Sequence, residues 1–236
     1  TLQKEGSKLS SYTLPAILVA IFAGGRSGGD AALGIQLFEQ VKASGWSQKA
    51  EEAADYAGLQ YLVKTSYNAT GLLTFMERLA RREAPLEASV DFGIFRTHPP
   101  SKERAAALVR RLQAANVTIQ RSAVTTTFRT TVKVLSDSKV EAWFAGKRIY
   151  TFSGENAKGR AEAAAKRLDQ FFDATPDMYE VAVRKDGSVV GKSKVLFKIA
   201  PEDAEGSNMG LAELQEATQY ALKRSVGYLS MVWLAR

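Results

Sequence analysis

Glu51 and Asp55 stand four residues apart, the spacing that puts two side chains on one face of a helix. That face continues through Gly58, Leu59 and Leu62, the apolar side, while Lys49 and Glu52 fall away from it. Carboxylates aligned with an apolar stripe need a partner, because burying an unpaired charge costs several kcal/mol. A metal ion that also has a histidine ligand would supply one. The alternative is two solvated acids near a helix N-terminus, where the dipole favours them, and spacing alone leaves both open. The third chemically able residue is His98, in Thr97-His98-Pro99-Pro100, and it is the sequence's single histidine. It fits a loop at the edge of a site as well as an ordinary loop position. With no cysteine, thiolate metal sites and disulfides are excluded.

The elements that must position these residues are helical. Segments 34–44, 48–65, 69–84 and 101–115 carry apolar residues at three- and four-residue spacing. Ser47 is placed to cap the second, Asn68 or Thr70 the third, and Ser101 the fourth, which holds Arg104 to Leu112. Gly24-Gly25-Arg26-Ser27-Gly28-Gly29 reads as a loop. Near residue 117 the texture changes, dividing the chain into expected domains 1–116 and 117–236.

In the second part Val117 to Leu135 is rich in Thr and Val and predicts strand, and Val140 to Phe152 predicts a hairpin about Gly146-Lys147. Residues 157–173 return to helical spacing. Val181 to Arg184 and Val189 to Ile199 flank Asp186-Gly187, a hairpin signal. A last helix is expected over 209–224, with Gly227 to Leu234 as a strand or apolar tail. The expected class is α+β, a helical half followed by a unit of order β-β-α-β-β-α.

Composition narrows the function. Apolar content of 45% and charged content of 24% are those of a globular chain. The net charge of +7 is spread evenly, with 14 Lys and Arg against 11 Asp and Glu over residues 1–116 and 18 against 14 over 117–236. No basic block tracks a phosphate backbone, so nucleic acid is not an expected partner. The apolar run Leu14 to Gly25 is shorter than the roughly 20 residues a membrane span needs. The chain starts at Thr1 without a signal peptide, and is expected to be processed or trimmed.

Residues 47–83 resemble a signature of the HtpX/Oma/BepA group of zinc metallopeptidases: Glu51 with Asp55 and Gly58, then a helix, a turn at Tyr67-Asn68-Ala69, and a helix with Phe75 and Leu79. A Thr-His-Pro-x-x-x-x-Arg segment follows in that group and is matched by Thr97 to Arg104. Ala53, Tyr56 and Ala69 depart from the pattern, each away from the candidate ligands. The resemblance implies Zn2+ as cofactor, with Glu51 as its third protein ligand after two histidines of a His-Glu-x-x-His helix. It implies Asp55 as a carboxylate that orients a ligating imidazole, and His98 as a residue lining the cleft. Arg104 is expected to anchor the His98 loop to a carboxylate.

The His-Glu-x-x-His motif is absent from the sequence, so that helix is expected on a segment just upstream of Thr1 and is the implied partner of this chain. Peptide hydrolysis requires its two imidazoles and a general-base glutamate. The resulting expectation is a zinc metalloendopeptidase acting on protein or peptide substrates, completed by that segment. Periplasmic or membrane-associated location follows from the resemblance, and oligomeric state is left open. The rival is a non-catalytic scaffold or interaction module on the peptidase fold. Residues 117–236 offer no catalytic set. Glu202, Asp203 and Glu205 after Pro201 read as a helix start, and Trp143, Phe144 and Tyr150 as strand core or an aromatic docking surface.

Overall fold

A computed structural model gives the architecture and describes residues 48–87 and 101–233. The expected segment 34–44, the glycine-rich loop and His98 lie outside the described residues. Three helices come first: α1 (Gln48–Val63), α2 (Thr70–Glu87) and α3 (Ser101–Ala114). Asn68 stops the chain before α2 by accepting the Thr70 backbone N–H at 3.0 Å, the capping that its amide chemistry favours. The apolar faces of the three helices meet in one cluster of Leu59, Leu73, Met76, Leu108 and Leu112.

Beyond residue 120 come α4 (Arg121–Val124) and a 3-10 turn (Thr126–Phe128). They precede the antiparallel sheet β1 (Thr131–Ser136), β2 (Lys139–Phe144) and β3 (Lys147–Ser153). Helix α5 (Ala157–Asp173) follows, then the antiparallel sheet β4 (Val181–Val183), β5 (Ser188–Gly191) and β6 (Lys194–Lys198), and finally α6 (Pro201–Ser207) and α7 (Leu211–Val232). The α+β class is as expected; the order is three strands, a helix, three strands and two helices. Helix α5 packs against both sheets. Its buried Ala161 and Ala164 allow close approach, and Phe172 stacks on Phe144 of β2 at 3.8 Å between ring centroids.

Four expectations change. Residues 121–128 are short helical turns and not strand, because Thr125 accepts the Thr127 N–H and Arg121 is drawn into a buried ion pair. The Ala145-Gly146 turn precedes Lys147, with both residues at positive φ, the conformation that suits a two-residue hairpin. The segment 189–199 is two strands, reversed at Lys192 and Ser193. The final helix runs through Gly227 to Val232, because Val226, Leu229 and Trp233 are buried on the core.

The acids after Pro201 are structural. Asp203 is 0% exposed. It accepts from the Ser153 N–H at 2.7 Å, the Ala200 N–H at 2.9 Å, the Tyr150 hydroxyl at 2.8 Å and the Arg160 guanidinium at 2.5 Å. Asp203→Asn turns two amide hydrogens toward groups that are themselves donors. It is expected to lower unfolding free energy by about 2–3 kcal/mol in urea titration; an unchanged midpoint would contradict this role. Phe144 and Tyr150 are core, whereas Trp143 is half-buried, its indole N–H donating to Glu141 at 2.8 Å.

Candidate active site

Glu51 lies in the first turn of α1 and Asp55 one turn later. Both are buried, at 6% and 7% exposure, on the side that continues into the core at Leu59. The solvated-acid alternative is therefore not what the fold adopts. Helix α1 packs on α3, and Arg104 of α3 faces both acids. Its Nε and Nη2 each donate to Asp55 at 2.8 Å, while Nη1 lies 2.5 Å from Glu51 Oε2. The fork of Arg thus takes Asp55 in two-pronged fashion and reaches Glu51 with its remaining nitrogen, a geometry that the point charge of Lys would not reproduce.

The reach depends on where α3 begins. Ser101 donates from its backbone N–H to Glu83 Oε2 at 3.0 Å and from its hydroxyl to Oε1 at 2.7 Å. The carboxylate on α2 therefore grips the first turn of α3, the turn that carries Arg104. One heptad on, Arg111 donates to Glu52 at 2.7 Å and lies over the Tyr56 ring at 5.2 Å. Sequence reasoning expected Arg104 to anchor the His98 loop to a carboxylate; the structure shows the carboxylates it holds, those of Asp55 and Glu51 on α1, while the His98 loop lies outside the described residues. The same reasoning missed Glu83 and Arg111 altogether. A signal for Arg111 was available, since it repeats Arg104 after seven residues on one face; nothing local marks Glu83.

Electrostatically, two carboxylates face one guanidinium, a surplus of one negative charge when all three are ionised. Burial acts to draw the Arg104 pKa down. The Asp55 hydrogen bonds and the Glu51, Asp55 and Glu83 charges outweigh it and leave the pKa above its ordinary value, so Arg104 is a cation at any working pH. Among the described residues no group of three or more His, Cys, Asp and Glu side chains converges on a metal position. The carboxylate oxygen of Glu51 is a hard donor in an anionic pocket, which fits one position of a divalent cation's shell. None of the described helices is long and apolar enough to cross a membrane.

Comparison with curated proteins and with solved structures finds no match. The model of peptidase family M48 matches residues 2–112, the span that holds α1, the pair of acids, the position of His98 and nearly all of α3. Members of that family are, in general, metallopeptidases. The carboxylate pair on α1 and the arginine that α3 brings to it thus lie inside the matched region, and residues 2–112 are similar to the C-terminal part of a family M48 (HtpX/Oma/BepA-like) peptidase.

Proposed function

We propose that this chain supplies the third zinc ligand and the cleft loop of a zinc-dependent metalloendopeptidase. The observation that carries the reading is the buried pair Glu51 and Asp55, aligned on one face of α1 with Arg104 against them. Glu51 would hold the metal through a carboxylate oxygen, and Asp55 would orient an imidazole ligand by accepting a hydrogen bond from its other ring nitrogen. His98 would line the cleft. Both imidazole ligands and the general-base glutamate come from another segment, since His98 is the only histidine in this sequence. A zinc ion bound there supplies a water molecule acidified enough to act as a nucleophile near neutral pH. Arg104 holds both carboxylates in place, Asp55 through two hydrogen bonds and Glu51 through its remaining nitrogen.

Glu51→Gln in the full-length protein is the test. The expected result is a lower zinc content by atomic absorption together with abolished cleavage of an unfolded protein substrate. Unchanged zinc content and unchanged cleavage would overturn the reading. A second reading, a non-catalytic scaffold on the same fold, is favoured by the way Arg104 already satisfies both acids. It predicts no zinc in the wild-type protein and no cleavage by it.

A further inference from the structure

A cleft of about 1250 Å³ lies on the far side of α3 from the carboxylate pair, where the helical and the α+β parts meet. Its sides come from α2, α3, the segment 117–123, α5 and the β5–β6 turn. Ala105 and Val109 of α3, with Val117 and Ile119 of the connecting segment, give it an apolar floor. Around this floor stand Lys102, Arg129, Lys166, Lys192 and Lys194, all exposed.

The acids that also line the cleft are already committed. Glu77 accepts from Arg121 and from the Trp233 indole, Asp173 from the Ser122 N–H and hydroxyl, and Asp169 from the Thr130 N–H. Among the basic groups, Arg129 donates to the Ser122 carbonyl, and Lys192 lies 3.6 Å from Glu180. Lys102, Lys166 and Lys194 make no ion pair among the described residues. The rim is thus cationic over an apolar bed.

We infer that this cleft docks an acidic stretch of a partner polypeptide that carries apolar side chains between its carboxylates. Charge complementarity selects the acids, since carboxylates meet ammonium groups of which Lys102, Lys166 and Lys194 make no ion pair among the described residues. The apolar floor selects the intervening side chains. Its volume exceeds the roughly 300–1,000 Å³ of pockets shaped for small molecules, and an extended peptide fills such a trough. A single-stranded nucleic acid fits less well: its bases stack on exposed aromatic faces, and the one aromatic among the described residues lining the cleft, Trp233, is only 3% exposed. The inference rests on the cleft alone and is independent of the peptidase reading, so the two can fail separately.

Fluorescence anisotropy of the full chain tests it, with a labelled peptide alternating Glu and Leu, a Lys/Leu counterpart, and a labelled single-stranded oligonucleotide. The Glu/Leu peptide is expected to bind and the other two to bind far more weakly. Lys166→Glu combined with Lys194→Glu is expected to weaken Glu/Leu binding by about tenfold or more, corresponding to about 1.4 kcal/mol. Lys158→Glu, exposed on α5 away from the cleft, is expected to leave it within about twofold. Absence of Glu/Leu binding, equal loss in all variants, preference for the oligonucleotide, or insensitivity to the paired substitution would each overturn the inference. All three substitutions are at exposed positions, so circular dichroism should show each variant folded.

Discussion

Arg104→Met is expected to destabilise the helical part by about 3–5 kcal/mol, the cost of removing one member of a buried ion pair. The substitution leaves Glu51 and Asp55 facing each other, both buried, with their common cation gone. Met retains the length and apolar stem of Arg, so the loss isolates charge from packing. Arg104 keeps about a fifth of its side chain exposed, and water entering there holds the effect toward the lower end. The check is urea unfolding of the single variant beside a triple variant that adds Glu51→Gln and Asp55→Asn. Removing the two carboxylate charges should restore part of the lost stability, because the penalty of breaking a buried ion pair comes largely from the charge left behind. A triple variant as unstable as the single one would mean that Arg104 acts through packing and not through charge.

The second large effect is expected at the junction, from Arg121→Met. Arg121 is 4% exposed. Its Nη2 donates to Glu77 Oε1 at 2.6 Å, Nε is shared between the two Glu77 oxygens at 3.0 and 3.1 Å, and Nη1 donates to the Asp173 carbonyl at 2.6 Å. The Trp233 indole adds a donor to Glu77 at 3.0 Å and packs edge-on against Phe128 at 5.4 Å. The cluster ties α2, α4, the end of α5 and the end of α7 to one carboxylate. Loss of the guanidinium leaves Glu77 buried with the indole N–H as its remaining donor in the cluster, at an expected cost of about 3–5 kcal/mol. Thermal unfolding measures the loss. Hydrogen exchange locates it, with protection expected to fall first over 121–128 and at the end of α7. Unchanged protection there would remove this cluster as the link between the two cores.

Much of the scaffold was legible in sequence for local reasons. Helices over 48–63, 70–87, 101–114 and 157–173 announce themselves because a period near 3.6 is written into consecutive residues. Asp186-Gly187 announces its hairpin because Gly187 takes a φ of +80°, which costs a residue without Cβ little. The neighbouring turn was illegible for the converse reason. Lys192 and Ser193 adopt positive φ although neither residue type favours it, and the pairing of β5 with β6 imposes that conformation. Residues 121–128 look like strand from their Thr and Val content, yet Arg121 is claimed by Glu77, 44 residues away. Gly227 reads as a helix breaker at about 1 kcal/mol relative to Ala, and burial of Val226, Leu229 and Trp233 beside it outweighs that.

The site divides in the same way. The sequence alone determined that Glu51 and Asp55 share a helix face and that this face is apolar, since both follow from helical geometry along one segment. It determined as well that one histidine is all this chain can contribute to a metal. Tertiary structure decided what meets the two acids: Arg104, 49 residues beyond Asp55, delivered by the packing of α3 on α1 and by the hold of Glu83 on Ser101. Buried charge must find its complement wherever the fold can bring one, and that choice is made between segments distant in the chain, where no local pattern records it.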